Sequence, residues 1–289
     1  MKRVAIYLTI SHIALTCGVG VSSLWNWYKG PLPQTDQISV RVDLPAKKLP
    51  AQTNVSTPVT PHSEVVFGKG RLRIITHQLR LESDRLHYQI NVSYPEIVGS
   101  KDRHIQNLNR QIERLVTRRY EWAMNPSEAE RYEREKPPEF YNTVDIIYEV
   151  RFASDSLLSI YFGGYSYTIG AAHAVQYSFT VNYDLTLRKE LDLPDIFKPN
   201  SKYLKFIEHY CTDELANGPA GASLFNEAFA PPTKAFESWN ITTDGIIFNF
   251  DQCRVTGCSA GEQAVEIPFS ALKPLLNSRA RGIAHSRSN

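Results

Sequence analysis

Residues 144–162 read VDIIYEVRFASDSLLSIYF. Val144, Ile146, Tyr148, Val150 and Phe152 stand at every second position, the period of a half-buried strand. Ser154-Asp155-Ser156 supplies a polar turn, and Leu158, Ile160 and Phe162 resume the alternation, so the stretch predicts a β-hairpin. Upstream, Leu86, Tyr88, Ile90, Val92 and Tyr94 predict another strand, which Pro95 is expected to end for want of an N–H. Leu79 and Leu81 predict its partner, ahead of a turn at Ser83-Asp84. Between these strands and the hairpin, Ile105, Leu108, Ile112, Leu115, Val116 and Tyr120 recur at spacings of three and four, predicting a helix over 102–124. Asn125-Pro126 breaks it and opens a short charged helix before Pro137-Pro138.

Downstream, Tyr177, Phe179, Val181 and Tyr183 predict a strand, and Ser201 is expected to cap a second helix carrying Tyr203, Ile207, Tyr210 and Leu215. Trp239 and Ile241 face Ile246, Phe248 and Phe250 across a turn ending Asp244-Gly245, a strong hairpin signal. Val265 and Ile267 give a last strand, closed by Pro268 before a short helix near Ser270–Leu276. Helices and strands do not follow a regular βαβ order. The expected class is α+β: two small antiparallel sheets, each packed with a helix, after an N-terminal hydrophobic helix.

That first helix is the run Val4–Trp25, behind Lys2 and Arg3. A bilayer core takes roughly 20 apolar helical residues, whereas the core of a signal peptide takes about 7–15. Residues 1–28 are therefore either a signal anchor or a cleaved signal peptide, with small residues at Val21-Ser22-Ser23 for cleavage. Both place the body of the chain outside the cytoplasm, tied in the first case to the inner or cytoplasmic membrane through residues 4–25. Residues 29–64 carry scattered prolines among Ser, Thr and Gln and read as a semi-stiff linker. The expected modules are 65–155 and 156–277, followed by a flexible tail at 278–289.

Composition narrows the function classes. Lys and Arg number 32 against 30 Asp and Glu, so no basic face for nucleic acid is expected. Hydrophobic residues make up 42% of the chain, enough for a real core. The eight histidines form no His-x-x-x-His pair, and no phosphate loop or nucleophile elbow occurs, so neither a metal nor a cofactor is expected. Ser270-Ala271-Leu272-Lys273 matches a Ser-x-x-Lys pattern without its companion motifs, and reads as the buried face of a short helix. Asp184, Asp192, Asp195 and Glu266 read as turn and surface acids. No catalytic residue emerges, and the chain is expected not to be an enzyme.

Two features remain. Cys253 and Cys258 bracket Arg254-Val255-Thr256-Gly257 and can close a small disulfide loop in an oxidising compartment, with a crossed pairing to Cys211 as the competitor. Gly163-Gly164-Tyr165-Ser166-Tyr167-Thr168-Ile169-Gly170-Ala171-Ala172-His173 reads as a long loop between strands. Tyr165, Tyr167 and His173 are its candidate ligand-binding residues. The competing reading of His173 is a hydrogen-bonded core histidine.

Gly170-Ala171-Ala172-His173 is also similar to a Gly-Gly-Ala-His signature. It is followed by Val181-Asn182-Tyr183-Asp184, Leu191-Asp192-Leu193-Pro194-Asp195-Ile196-Phe197, Phe248-Asn249-Phe250-Asp251, Ala260-Gly261 and Val265-Glu266-Ile267-Pro268. Together these resemble an extracytoplasmic domain-of-unknown-function family. That family forms the lysozyme-binding sensor of an anti-sigma factor and stands beside the catalytic domain of some peptidoglycan deacetylases. The resemblance covers roughly 156–277. Tyr94-Pro95-Glu96-Ile97 and the Asn107–Tyr120 helix resemble the module that normally precedes it, about 67–155. Ala171 replaces the second glycine of the signature. Cys253 and Cys258 stand where the family commonly has tyrosines, which implies a bridged variant.

The resemblance implies a non-enzymatic extracytoplasmic binding module at the cell envelope. Its ligand would be a lysozyme-like protein or peptidoglycan. It also implies that deacetylase relatives use a separate metal-binding catalytic domain, for which this chain has no room. The alternatives are a wall hydrolase or deacetylase with a site assembled from distant residues, and a regulatory sensor. Only Met1, Lys2 and Arg3 precede the apolar run, which leaves a sensor no cytosolic segment for its partner.

Overall fold

The computed structural model describes residues 65–125 and 141–285. Strands β1 (Val66–Phe67), β2 (Leu72–Ser83) and β3 (Tyr88–Val98) precede helix α1 (Arg103–Met124). Strands β4 (Asn142–Ala153), β5 (Leu157–Tyr167), β6 (Val175–Asp184) and β7 (Lys189–Glu190) follow, and all seven join one sheet in chain order. Helices α2 (Tyr203–Asn217) and α3 (Pro232–Ala235) lead to a three-stranded sheet of β8 (Trp239–Ile241), β9 (Gly245–Phe250) and β10 (Gln263–Pro268). Helices α4 (Phe269–Leu272) and α5 (Ser278–His285) close the chain. The class is mixed α and β, but the expected pair of small sheets is corrected to one of seven strands and one of three. The N-terminal hydrophobic helix, the linker and the charged helix after Asn125 lie outside the described residues.

One pairing is parallel. Tyr88–Val92 of β3 run alongside Asn142–Ile146 of β4, with α1 in the connection between them. A parallel pair needs such a crossover, which a hairpin turn cannot supply. Asp102 caps α1 by accepting the His104 N–H at 2.9 Å, and Ile105, Leu108, Ile112 and Val116 bury one stripe.

Strand β3 runs through Pro95 rather than ending there. The Ile97 N–H donates to the Asn109 side chain and the Ile97 carbonyl accepts from the Asn109 amide, both at 2.9 Å, so the polar groups of Ile97 point away from β2. Pro95, two residues earlier, faces the same edge, beyond the stretch that β4 pairs with, where a missing N–H costs no ladder bond.

The β4–β5 hairpin divides two cores. Its turn is held by the Ser154 hydroxyl, which accepts the Leu157 N–H at 3.1 Å. Val144, Ile146, Leu158, Ile160 and Phe162 are buried against α1 in the first core. A bulge between Val150 and Phe152 reverses the alternation, so Phe152 joins Leu157 in the second core while Ala153 packs on the first. The second core lies with α2 and the three-stranded sheet around Phe229, Phe236, Phe248 and Phe250, whose rings meet 5.2–5.4 Å apart in the closest pairs.

The cap of α2 differs from expectation, the second hairpin forms as expected, and part of the tail is helical. Lys202, not Ser201, precedes α2, and the Ser201 hydroxyl donates to the Lys198 carbonyl at 2.8 Å. The hairpin β8–β9 forms on Thr242–Gly245 as its Asp-Gly requires. Residues 278–285 of the expected tail are helical: Asn277 accepts the Ala280 N–H at 2.9 Å, Ala280 is buried, and Arg279 pairs with the buried carboxylate of Asp184. The expected module border at 155/156 falls in the turn of the β4–β5 hairpin.

Candidate functional site

Gly163 and Gly164 belong to a strand. Strand β5 continues to Tyr167, paired with β4 on one side and β6 on the other, so the expected long loop shrinks to residues 168–174. Each glycine makes room on one face of the sheet. A Cβ on Gly164 would lie 2.3 Å from the Tyr177 ring, and one on Gly163 would lie 3.3 Å from the Tyr161 ring. Tyr177 packs on the α1 side with the Arg119 guanidinium 5.7 Å from its ring centre, and burial pushes its hydroxyl up to about 12.

Tyr165 and Tyr167 then point to the opposite face, because side chains alternate along a strand. Tyr165 lies between Asp145 on β4 and Gln176 on β6, and is exposed. Tyr167 is half-buried opposite Thr143. His173 is an exposed loop residue whose Nδ1 lies 2.9 Å from the Ala174 carbonyl, so the core-histidine reading does not hold. Among the described residues no hydrogen bond or ring contact joins it to either tyrosine. Its loop is pinned at Ile169, whose N–H donates to the buried Asn142 side chain at 2.8 Å. Gly170 takes a φ of 86°, which favours glycine, whereas Ala171 stays outside the left-handed region. Alanine therefore fits where the related signature has its second glycine.

The open face extends beyond these residues. Ile147 lies opposite Gly163 with 64% of its surface exposed. Tyr161 stands on the same side of β5 as Tyr165 and Tyr167, and the Arg151 guanidinium lies 5.0 Å from its ring centre. Its hydroxyl is 3.4 Å from Glu262, which precedes β10. Burial, then the charge of Asp251, pushes Glu262 up to about 7, and its Oε1 is buried without a hydrogen-bond partner. Glu262 is thus a carboxyl group that titrates near neutrality. The same surroundings push the Tyr161 hydroxyl well above its ordinary range, chiefly through burial.

The segment between β9 and β10 is fastened to β6. Asp251 accepts the Ser178 N–H at 2.7 Å, and the Gln252 side chain accepts the Gln176 N–H at 3.0 Å. Cys253 and Cys258 are disulfide-bonded, and the amide of Gln252, the residue before that loop, donates to the Cys258 carbonyl at 2.9 Å. Cys211 is a buried free thiol on α2, so the crossed pairing does not occur. Sequence reading missed Arg151, Tyr161, Asp251 and Glu262. Tyr161 has a signal: it falls on one face with Tyr165 and Tyr167 once the glycine pair is read as strand. Glu262 has none, since its burial depends on how β6 meets the β9–β10 segment. Among the described residues, no three His, Cys, Asp or Glu side chains converge to hold a metal ion, and no helix is long and apolar enough to cross a membrane.

Two family models match the chain in tandem. Residues 81–176 match the family described as deacetylase PdaC, and residues 194–270 match the protein family of unknown function DUF3298. The first match ends at the start of β6, later than the border of 155 that the sequence motifs imply. The peptidoglycan-N-acetylmuramic acid deacetylase PdaC of Bacillus subtilis is 31% identical over 138 residues, 47% of this chain and 29% of the enzyme. The chain thus matches under a third of that relative's length. A DUF3298 structure from Bacteroides fragilis superposes with a TM-score of 0.56 at 17% identity, covering 75% of this chain and 98% of its own, a likeness of fold. One from Pseudomonas aeruginosa gives 0.48 at 17% identity, covering 72% and 96%. These matches overturn the expectation that the chain is not an enzyme, because a deacetylase family model covers residues 81–176 and the matched relative is itself named a deacetylase. The chain thus matches the DUF3298 model downstream of the PdaC model, the tandem its motifs resemble.

Proposed function

We propose that this chain works outside the cytoplasm at the cell wall, and that the open face of β4 and β5 engages peptidoglycan glycan. The reading is carried by the kinship with a peptidoglycan deacetylase over 138 residues. The face itself gives support. Tyrosine rings and Ile147 offer flat apolar surface for the faces of sugar rings, while Asp145, Gln176 and Glu149 border them with groups that hydrogen-bond hydroxyls. On this reading the proline-rich stretch 29–64 is a spacer, and residues 1–28 direct the chain out of the cytoplasm or hold it at the membrane.

Co-sedimentation of the full chain with purified insoluble peptidoglycan tests the proposal. Tyr165→Ala with Tyr167→Ala should lower the bound fraction about tenfold, since central aromatic contacts carry much of a binding energy. Unchanged sedimentation would move the contact off this face. A deacetylase role has its own support in the match over residues 81–176. Acetate released from the same peptidoglycan measures it directly, with Glu262→Gln as the variant that removes the neutral-range carboxyl group.

A further inference from the structure

A recess lies on the α1 side of the sheet. It measures about 350 Å³ and opens between the β2–β3 hairpin and the first half of α1, lined by His77, Tyr94 and Glu96 from the strands and Gln106, Arg110 and Glu113 from the helix. The His77 and Tyr94 rings stack 5.2 Å apart at 23°, and His77 Nε2 is 2.6 Å from Glu96. Both side chains of that pair remain accessible, 43% and 38% exposed. The stacked rings form a wall with Glu96 beside it.

The other wall is helical. Asn109 is fully engaged with the backbone of Ile97, and Arg110 donates to Asn107 on its own helix. Glu113 is different: among the described residues it has no hydrogen bond or ion pair, yet its charge reaches the Tyr94 ring. After burial, Glu113 is the largest cause raising the Tyr94 hydroxyl, ahead of Tyr120 and Glu96. An unpaired carboxylate, a second one close by and a ring stack form the surroundings that favour a primary ammonium group. A neutral acetamide could not answer the Glu113 charge, and crowding it would strip water from that carboxylate without compensation.

We infer that this groove binds an amino sugar whose amine is free, as in a de-N-acetylated stretch of peptidoglycan glycan. The ammonium chemistry stands on the groove alone; the choice of a wall glycan as its source rests on the proposed function. Glu113 holds the amine, the His77–Tyr94 stack supports the sugar ring, and Gln106 and Glu96 take hydroxyls.

Titration calorimetry of the full chain with a glucosamine tetramer and an N-acetylglucosamine tetramer tests this. The free-amine tetramer should bind about tenfold more tightly, a difference near 1.4 kcal/mol. Glu113→Gln, at an exposed helix position, should erase that preference, and Arg110→Ala, which removes a competing cation, should sharpen it. Equal binding of the two tetramers, or a preference untouched by Glu113→Gln, would overturn the inference. Competition by a lysine-containing peptide as effective as the amino sugar would overturn its sugar half. A chain that ignores peptidoglycan yet separates the two tetramers removes the wall reading and keeps the groove's chemistry.

Discussion

The Ser159 hydroxyl donates to the Asn182 side chain at 2.6 Å while accepting from the Asn240 amide at 3.0 Å and the Ile241 N–H at 3.1 Å. Asn182 in turn donates to the Trp239 carbonyl at 2.7 Å, and Asn249 donates to Asn240 at 3.3 Å. All four side chains are buried, so a satisfied polar cluster fastens β5 and β6 of the large sheet to β8 and β9 of the small one. Ser159→Ala leaves the Asn240 amide and the Ile241 N–H without their partner. A stranded buried group costs about 1–3 kcal/mol, so urea unfolding followed by circular dichroism should show a loss of at least about 2 kcal/mol. A loss below about 0.5 kcal/mol, the range of an ordinary surface change, would mean that the cluster does not hold the sheets together.

The two central glycines of β5 should not be equivalent. Gly164→Ala drives a methyl group into the Tyr177 ring at 2.3 Å, whereas Gly163→Ala meets the Tyr161 ring at 3.3 Å, a tight contact that a small shift of that ring relieves. Overpacking costs about 1–3 kcal/mol, and that cost should appear for Gly164→Ala and be smaller for Gly163→Ala. Adding Tyr177→Val to Gly164→Ala should recover part of the loss. Equal destabilisation by the two single changes would place the constraint in the backbone instead of the rings.

This pair also marks where sequence reading stops. The β4–β5 hairpin is legible because its alternation is strict and its Ser-Asp-Ser turn is polar, and both are local properties. Gly163-Gly164 reads as loop because glycine usually serves a turn. Here it serves a ring thirteen residues away in sequence, which only the pairing of β5 with β6 reveals. The bulge after Val150, the parallel pairing of β3 with β4 and the burial of Ala280 are likewise decided by partners distant in the chain. Tyr165 and Tyr167 were legible as candidates because their residue types carry the signal. Glu262 was not, because its chemistry comes from its burial and from Asp251 beside it.

The disulfide should support the β9–β10 segment. Cys253 and Cys258 close a loop with a sequence separation of 5, for which loss of unfolded-chain entropy contributes about 2 kcal/mol. Replacing both by Ser should lower the melting temperature by about 4–8 °C. Because Asp251 and Gln252 lead directly into that loop and Glu262 follows it, the double variant should also loosen their contacts with β6. Amide exchange at Gln176 and Ser178 should rise, since those N–H groups donate to Gln252 and Asp251. A lower melting temperature with unchanged exchange there would confine the bridge's effect to the unfolded chain.

Glu262 should make stability depend on pH in a defined window. Its carboxyl group has an ordinary value of 4.5 and is pushed up to about 7 in the fold, first by burial and then by Asp251, with the Tyr161 hydroxyl pulling the other way. Between those two values the folded chain holds a proton that the unfolded chain has released, so stability falls as pH rises through the window. Burial raises Glu190 as well, in the same direction, and Asp102 and Asp195 are lowered and act only in acid. Glu262→Gln stays neutral at every pH and isolates the one group. Relative to the native chain, the variant should gain melting temperature steadily from pH 4.5 to pH 7 and hold that gain above it, by about 2–4 °C for each kcal/mol recovered. Melting curves for the two chains that run parallel from pH 4.5 to 8 would show that Glu262 is already ionised in the fold, and would remove it from any role as a neutral-range acid.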